Sequence, residues 1–350
     1  GQDYERTLAV AKKYNISALV TAATDKPLVM MARIAQELNL PFYSVETAVW
    51  STDKYQMKQR FIQGDVPCAQ GRLIHRAEEA TDLYFPVICK PRDNSGSRGV
   101  KLCRDLKELQ ECIDEALQYS KLDTVLVEEF IEGREFSIES LHYEGKTEVI
   151  QFTEKKTTEF PYNVELGHKQ PANLTVAQKD CIREIIAKIA SALKFENCPS
   201  HTELKVNERG IFIIETSPRL GGDFITSTLT PLSTGINLVI TKQPMDFGEC
   251  LYDNKRKICD VAVDYDNNPA LGEKVDTTGR VDKASGVCFF SYPEGEVVHI
   301  SDKISEVSSW PMISNFELKL KEGDKVNPIT SSLSRYGQFI VSGDTSKEVE

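Results

Sequence analysis

The chain has 350 residues, of which 40% are hydrophobic and 27% are charged, and its net charge at pH 7 is −11. This length predicts two or three domains, and the composition is typical of a globular protein in solution. The acidic balance argues against a nucleic acid or an anionic membrane surface as partner, because phosphate contacts supply most of such binding.

The hydropathy pattern predicts a cytoplasmic protein without a membrane span. No apolar run approaches the roughly 18 residues that a spanning helix needs, and the first residues, GQDYERTLAVAKKY, contain no apolar signal core. The nine cysteines include no CxxC pair and lie mostly within apolar runs. This usage favours reduced structural thiols over disulfides or a zinc site.

The first part of the chain predicts a partial, Rossmann-like α/β unit. ISALVTAAT (16–24) predicts a strand, KPLVMMARIAQELNL (26–40) a helix and PFYS (41–44) a returning strand. A second helix is predicted to begin after an N-cap at Ser51 or Thr52 and to end at Gly64.

Strands and helices alternate through the middle of the chain. Predicted strands lie at 85–90, 100–104 and 124–131, hairpins at 135–152 (turn Glu144–Gly145) and 201–217 (turn Asn207–Gly210), and helices at 105–120 and 175–195. From about residue 260 strand and turn signals dominate. They predict either a separate small β unit or an excursion packed on the main domain.

The stretch FPVICKPRDNSGSRGV (85–100) has the composition of a phosphate cradle. Glycines and serines leave backbone N–H groups free to bind an anion, and Lys90 adds a cation at the end of a strand. Further basic residues crowd around this loop: Arg92, Arg98, Lys101 and Arg104. Neither GxxxxGK[ST] nor GxGxxG is present, so a solvated glycine-rich turn with an incidental lysine stays open as the alternative.

Two glutamates lie almost symmetrically about the turn of the 201–217 hairpin. Glu203 and Glu215 are therefore expected to stand close together on adjacent strands, where they repel each other unless a cation lies between them. The pattern favours Mg²⁺, which prefers hard oxygen ligands and often keeps substrate phosphates in its shell. Two exposed carboxylates tolerated by solvent are the alternative.

Arg219 follows the second glutamate closely, in the segment PRLGGDF. A planar guanidinium suits a substrate carboxylate, and Gly221 and Gly222 allow the backbone to approach a ligand. A surface arginine in a turn is the alternative. The stretch LVEEFIEGREF (126–136), considered separately, predicts no more than a strand edge.

Taken together, these motifs resemble the ATP-grasp superfamily. DKYQMKQRF, FPVICKPRDNSGSRGV, VLVEEFIEGREFSIE and FIIETSPRLGGD occur in the order expected of that family. The resemblance implies an ATP-grasp fold of the α/β (α+β) class. Its expected domains are a partial Rossmann-like (pre-ATP-grasp) domain at 1–50, an ATP-grasp domain at 51–250 with a lid at about 85–130, and a β-rich C-terminal part at 251–350.

The resemblance also implies a nucleotide site and a metal site. The residues implied for ATP are Lys54, Lys90, Ser95, Gly96, Ser97 and Gly99 at the phosphates, Glu128, Glu129, Phe130 and Ile131 at the adenine hinge, where the contacts are largely through backbone, and Glu135 at the ribose. Glu203 and Glu215 match the magnesium carboxylates, with Mn²⁺ as an alternative ion. Ser217 stands where the family usually has asparagine, and its hydroxyl is a shorter and weaker ligand.

Within the superfamily, the chain resembles the L-amino-acid ligase group. The matching segments are VELGHKQPANL (164–174), KASGVCFFSYPEGEVVHI and SSLSRYGQFIVSGDT. Glu165 and His168 match the substrate-site loop of that group, and a histidine in a loop suits a side chain that titrates near neutrality. A surface histidine is the alternative.

The implied activity is ATP-dependent ligation of a carboxylate to an amine, on amino acids or small peptides, through an acyl phosphate. Lys90 would stabilise the transferring phosphoryl group and Arg219 the oxyanion, while His168 and Glu165 would bind substrate or deprotonate the amine. The expected partners are these small molecules and a second copy in a homodimer. A carboxyphosphate-forming enzyme, like carbamoyl-phosphate synthase or biotin carboxylase, and a non-catalytic ATP-binding module stay open as alternatives.

Overall fold

The computed structural model describes residues 3–160, 162–238 and 280–350. Its α-helices are α1 (Tyr4–Tyr14), α2 (Leu28–Leu38), α3 (Val45–Thr52), α4 (Lys54–Gln63), α5 (Leu106–Gln118), α6 (Val176–Leu193), α7 (Thr230–Thr234) and α8 (Ser346–Val349). Segments of 3₁₀ or π type lie at Ala77–Ala80, Ile225–Leu229, Asp302–Ser309 and Ser332–Ser334. None of the helices in these ranges combines the length and the apolar character needed for a membrane crossing.

The strands form two main sheets and one short ribbon. They are β1 (Gly71–Ile74), β2 (Val87–Pro91), β3 (Lys101–Cys103), β4 (Val125–Glu129), β5 (Arg134–Tyr143), β6 (Lys146–Thr157), β7 (Glu165–Gln170), β8 (Cys198–Asn207), β9 (Gly210–Ser217), β10 (Ala284–Phe289), β11 (Gly295–Glu296), β12 (Ile313–Leu318), β13 (Lys325–Val326) and β14 (Gly337–Gly343).

The large sheet has eight strands in the order β12-β14-β10-β7-β6-β5-β8-β9. Side chains alternate between the faces of a strand, so β5 buries Phe136 and Ile138 in an apolar core that includes Ile186 of α6. Ser137 and Glu139 of the same strand lie on the other face. That face carries polar and charged side chains, and the candidate site is built on it.

The small sheet has four strands in the order β1-β4-β2-β3 and is covered by α5. Leu109 and Ile113 of α5 pack with Val87 and Val127 of the sheet in a separate apolar cluster. Because β4 ends at Glu129 and β5 begins at Arg134, the chain passes from the small sheet to the large sheet through a hinge of four residues, 130–133.

The C-terminal strands extend the large sheet. Strand β10 pairs with β7, with Val287 opposite His168, and β14 pairs with both β10 and β12. Of the two arrangements predicted from residue 260 onwards, the described part therefore has the one packed on the main domain. Residues 260–279 lie outside the described residues.

The two strands predicted in the N-terminal region are wrong. Residues 16–24 and 41–44 are irregular, and within the described ranges the first of them makes one parallel bridge, between Ala22 and Leu220. A strand persists only where a neighbour supplies a ladder of hydrogen bonds, and no such ladder is present here. The helix predicted at 26–40 is confirmed as α2, which packs on α1.

The start of α4 also differs from the prediction. Ser51 and Thr52 belong to α3, and Asp53 caps α4 by accepting a hydrogen bond from the Tyr55 backbone N–H at 3.0 Å. The end at Gly64 is confirmed. The other strands and helices predicted between 85 and 217 are confirmed, with ends shifted by a few residues: β2, β3, α5, β4, the β5–β6 hairpin, α6 and the β8–β9 hairpin. The loop predicted around His168 is wrong, because this residue lies in β7 and is buried.

His142 in β5 predicts a pH-dependent stability. Its buried ring lies 2.7 Å from Ser200 Oγ through Nε2 and 3.0 Å from Thr147 Oγ1 through Nδ1. Burial lowers the pKa of His142 from 6.5 to about 4. The stability that comes from burying the neutral ring is therefore complete above pH 6.5 and is lost progressively as the pH falls to about 4.

We expect wild-type protein to lose about 3 kcal/mol more unfolding free energy across this interval than His142→Gln, because one pKa unit corresponds to about 1.4 kcal/mol. Urea unfolding of both proteins between pH 7 and 4 measures the difference. His75→Gln, which changes an exposed histidine, should follow wild type. Parallel stability curves for wild type and His142→Gln would contradict the expectation.

Candidate active site

Two adjoining clefts lie over the polar face of the large sheet. The inner cleft is lined by residues of both sheets, among them Ile88, Lys90, Glu128, Glu135, Lys205 and Ile214. The outer cleft is lined by residues that include Ala23, Lys26, His168, Arg219, Asp223 and Leu333. The two clefts share the loop 95–98 and the carboxylates of Glu165, Glu203 and Glu215. A group held at this shared boundary is accessible from both sides.

The loop between β2 and β3 has the backbone of an anion-binding turn. Gly96, Ser97 and Gly99 have positive φ angles of 70°, 56° and 73°. Turns with left-handed residues of this kind form concavities of N–H groups that bind anions. Arg98 stabilises the loop from within by donating from Nε to the Ser95 carbonyl at 3.1 Å. This backbone suits the phosphate-binding role predicted for Ser95–Gly99.

A buried ionic triad lies beside this loop. Glu128 pairs through Oε2 with Lys90 and, at 2.5 Å, through Oε1 with Lys58. Burial by itself would raise the pKa of Glu128, but the two lysines outweigh burial and hold that pKa below its usual value. Burial lowers the pKa of Lys90, and Glu128 offsets only part of this effect because Lys58 adds repulsion.

The hinge side chains have partners within the protein, which leaves the backbone for the predicted adenine contacts. Glu128, predicted as a nucleotide contact, directs its carboxylate to the two lysines, and Glu129 accepts a hydrogen bond from the Gln70 backbone N–H at 3.2 Å. Phe130 packs edge-on against Phe160, with ring centroids 5.1 Å apart. What remains for an adenine edge at residues 128–131 is backbone and apolar surface.

Glu203 and Glu215 stand directly opposite each other on β8 and β9. Each has a cationic partner: Glu215 pairs with Lys54, and Glu203 Oε1 lies 2.9 Å from Lys155 Nζ and 3.4 Å from His201 Nε2. Burial by itself would raise the pKa of Glu203, but Lys155 and His201 hold it well below its usual value. The predicted pairing of the two carboxylates is confirmed. Their negative charges are balanced by lysine and histidine side chains rather than by solvent alone.

The donor set of this pair fits a magnesium ion that also binds a ligand. Within the described residues no group of three or more histidine, cysteine, aspartate or glutamate side chains is placed to hold a metal ion. Two carboxylates suffice for Mg²⁺ when substrate phosphates complete its oxygen shell. Ser217, the third predicted ligand, instead donates its hydroxyl to Asp25 Oδ1 at 2.6 Å.

Lys155 connects three of the predicted site residues. Its Nζ lies 2.8 Å from Glu135, 3.4 Å from Glu165 and 2.9 Å from Glu203, and its side chain is 2% exposed. Burial by itself would lower the pKa of Lys155, but the three glutamates raise it well above its usual value. Glu135, Glu165 and Glu203, which were predicted to bind ribose, substrate and metal, therefore share one buried cation.

Arg219 is oriented by an aspartate from the N-terminal region. Its Nε donates to Asp25 Oδ1 at 2.8 Å, and one terminal nitrogen donates to the Leu220 carbonyl at 3.0 Å. Burial by itself would lower the pKa of Arg219, but Asp25 raises it. Asp25 lies in the irregular stretch before α2, and no sequence pattern marks it as a partner of Arg219.

Close packing requires a glycine at position 221, soon after Arg219. A Cβ atom on Gly221 would lie 2.7 Å from His201 Nδ1 and 2.8 Å from the carboxylate oxygens of Glu139. The Gly221 N–H donates to Glu139 Oε2 at 3.2 Å. Burial by itself would lower the pKa of His201, but Glu139 raises it to about 9. The glycine thus lets the backbone after Arg219 rest on the buried Glu139–His201 ion pair.

Asp223 joins the C-terminal region to the outer cleft. Its carboxylate accepts hydrogen bonds of 2.7 and 2.8 Å from Arg335, whose guanidinium stacks 3.7 Å from the Phe289 ring centroid. His168 Nε2 lies 3.6 Å from the same carboxylate, and neither ring nitrogen of this buried histidine has a hydrogen-bond partner among the described residues. Burial by itself would raise the pKa of Asp223, but His168 and Arg335 hold it below its usual range.

Removing the Asp223 charge should loosen the segment that Arg335 anchors. We expect Asp223→Asn to raise amide hydrogen exchange in a peptide covering 330–336 about tenfold, which corresponds to about 1.4 kcal/mol of local stability. Asp302→Asn, an exposed change in the same region, is the matched control. Unchanged exchange in the Asp223 variant would show that Arg335 does not hold this segment.

Most of the predicted residues line the two clefts, and a few do not. Gly99, Ser217 and Gly221 line neither cleft. Sequence reasoning missed the charged partners Asp25, Lys58, Glu139, Lys155, His201, Asp223 and Arg335. Glu139, Lys155 and His201 lie on strands, where a charged residue at alternate positions is the usual pattern of a solvated face. The other four lie on a helix or outside the regular elements, so the sequence held no signal that these side chains meet.

Two domain families match the chain. Residues 83–227 match the ATP-grasp domain, and residues 288–350 match the L-amino acid ligase C-terminal domain 2. The crystal structure of L-amino acid ligase from Bacillus licheniformis superposes with a TM-score of 0.75 at 20% identity, covering 99% of this chain and 81% of that one. Residues 83–227 are therefore an ATP-grasp domain, a family that uses ATP with Mg²⁺. The C-terminal region of the chain is the domain found in L-amino acid ligases.

Relatives with curated names cover part of the same region. Alanine–anticapsin ligase from Bacillus amyloliquefaciens is 24% identical over 245 residues, which are 62% of this chain and 51% of that protein. The uncharacterized protein y4rH of Sinorhizobium fredii is 28% identical over 256 residues, 71% of this chain and 52% of that protein. The chain thus spans about half the length of these relatives.

Proposed function

We propose that the chain is an ATP- and Mg²⁺-dependent ligase that joins a carboxylate to an amine through an acyl phosphate, with amino acids or small peptides as substrates. The observation that carries this proposal is the boundary shared by the two clefts, where loop 95–98, Glu203 and Glu215 line both. A phosphoryl group at this boundary could be presented from the inner cleft and attacked from the outer one. Phosphoryl transfer between two bound substrates depends on such positioning.

The inner cleft is proposed to bind the nucleotide. Lys54, Lys90 and the loop 95–99 would hold its phosphates, the backbone of 128–131 its adenine edge, and Glu135 its ribose. Lys54 is paired with Glu215 and Glu135 with Lys155, so nucleotide binding would exchange these internal ion pairs for contacts to the ligand.

Glu203 and Glu215 would hold Mg²⁺, or Mn²⁺ in its place, which supplies neutralisation of phosphate charge. In the structure Lys54 pairs with Glu215 and Lys155 with Glu203. Ser217 is the third proposed metal ligand. Its hydroxyl would have to turn away from Asp25 to bind the ion.

The outer cleft is proposed to bind the carboxylate and the amine. A carboxylate oxygen attacks the γ-phosphorus, the bond to the bridging oxygen breaks, and ADP leaves with an acyl phosphate formed. The amine then attacks the acyl carbon, loses a proton, and expels phosphate to give the amide. Arg219 would hold the carboxylate and then stabilise the oxyanion, and Lys90 would stabilise the transferring phosphoryl group. Glu165 and His168 would bind substrate or accept the amine proton.

The test is ADP release from Mg-ATP against single amino acids and pairs of amino acids, with mass spectrometry of the products. A condensed product that appears only with a particular pair supports the proposal and names the substrates. ADP release with bicarbonate and no amino acid favours the carboxyphosphate-forming alternative. Bound ATP without turnover in any mixture favours a binding module.

The proposal includes the organisation of the whole chain. We propose the domain limits 1–50, 51–250 and 251–350, with a lid at about 85–130, a cytoplasmic location, and a homodimer. Hinge motion of the small sheet about residues 130–133 would admit the nucleotide. Light scattering of the purified chain tests the homodimer, and a monomer at micromolar concentration would count against it.

A further inference from the structure

Glu128 shares its carboxylate between two buried ammonium groups. Lys58 pairs with one oxygen and Lys90 with the other, and the three side chains are 4%, 6% and 6% exposed for Lys58, Lys90 and Glu128. Charges buried to this degree interact far more strongly than charges in water. The triad carries a net charge of +1, because one carboxylate neutralises only one of the two lysines.

Only part of the triad reaches the inner cleft. Lys90 and Glu128 line the inner cleft, whereas Lys58 lies behind them on α4. Besides its ion pair with Glu128, Lys58 donates a hydrogen bond to the Ala69 carbonyl. Lys58 therefore does not line the cleft, and any effect it has on a ligand there must act through Glu128.

The position of Lys58 determines how much charge Lys90 offers to a ligand. While Lys58 holds one carboxylate oxygen, Glu128 can neutralise Lys90 only in part. Without Lys58, both oxygens would be free to turn to Lys90 and form a closed neutral pair. A neutral pair attracts a phosphate weakly, since charge-assisted hydrogen bonds to phosphate need a cation that is not already satisfied.

We propose that Lys58 is a positioning residue that keeps the charge of Lys90 available to nucleotide phosphates by holding Glu128 away from it. This inference rests on the proposed function in one respect, that Lys90 faces the phosphates of a bound nucleotide. Lys58 has no role in the ligase proposal. The inference concerns the affinity for nucleotide phosphates and not the bond-forming steps.

The test compares a ligand with phosphates to one without. ADP affinity by calorimetry and adenosine affinity by ligand-observed NMR titration are measured on the full chain. We expect Lys58→Met to weaken ADP binding about tenfold, which is the size of one lost charge-assisted contact of about 1.4 kcal/mol. Adenosine binding should weaken by less than about twofold. Lys58→Arg should bind ADP nearly as wild type does. Lys188→Met, a change of an exposed lysine on α6, is the matched control.

A double variant separates this role from a structural one. Lys58→Met/Glu128→Gln removes the carboxylate that would close on Lys90, so it should bind ADP more tightly than Lys58→Met. Equal losses for ADP and adenosine, or a double variant weaker than the single one, would overturn the inference. Wild-type protein that binds no ADP overturns it together with the proposed function. Wild-type protein that binds ADP but forms no product removes only the ligase proposal and leaves this one standing.

Discussion

Replacing Arg219 with alanine is expected to abolish product formation while leaving ADP binding unchanged. The guanidinium lies in the outer cleft, oriented by Asp25 at 2.8 Å, where it would hold the substrate carboxylate and then the oxyanion. Donors aimed at a developing oxyanion contribute roughly 10²–10³ in rate. We therefore expect kcat/KM for the carboxylate substrate to fall by at least about a hundredfold.

Coupled ADP-release assays with product mass spectrometry measure the loss, and calorimetry measures ADP affinity. Arg183→Ala is the matched control, because Arg183 pairs with Asp180 on the surface of α6. A variant at Arg219 that no longer binds ADP would contradict the assignment and move this arginine to the nucleotide. A variant with full turnover would remove it from the chemistry.

Replacing Glu215 with glutamine is expected to abolish the dependence of nucleotide binding on Mg²⁺. Glu215 faces Glu203 across the β8–β9 pair and is paired with Lys54. The change removes one of two proposed metal carboxylates, and it also frees Lys54 to meet phosphate directly. Turnover should fall about a thousandfold, while ADP affinity in EDTA should equal or exceed that of wild type.

ADP titrations with Mg²⁺ and with EDTA measure both effects. Glu208→Gln, in the exposed turn of the same hairpin, is the control and should retain the wild-type response to Mg²⁺. If Mg²⁺ still tightens ADP binding in the Glu215 variant to the wild-type extent, the carboxylate pair is not the metal site.

Local sequence patterns predicted the elements that carry the inner cleft. The glycine-rich loop after Lys90 and the symmetric glutamates of the 201–217 hairpin each follow from short-range rules of turn chemistry and strand pairing. The structure has the positive φ angles at Gly96 and Ser97 and the opposed positions of Glu203 and Glu215 that these rules require. Such features depend on residues a few positions apart, so one sequence suffices to predict them.

The partners of these residues could not be predicted, because each comes from a distant part of the chain. Lys155 meets Glu203 only because β6, β5 and β8 are neighbours in the large sheet, and Asp25 meets Arg219 across 194 positions. The predicted N-terminal strands failed for a related reason. An apolar stretch such as 16–24 becomes a strand only if another strand pairs with it, and strand pairing is a property of the fold rather than of the stretch.

The measurement that tests the central claim most directly is the transfer of ¹⁸O from the carboxylate substrate to inorganic phosphate. When an amine displaces phosphate from an acyl phosphate, the oxygen that joined carbon to phosphorus leaves with the phosphate. We therefore predict that a substrate pair that gives a condensed product will yield one ¹⁸O atom in each phosphate released. A condensed product accompanied by unlabelled phosphate would contradict an acyl-phosphate ligase.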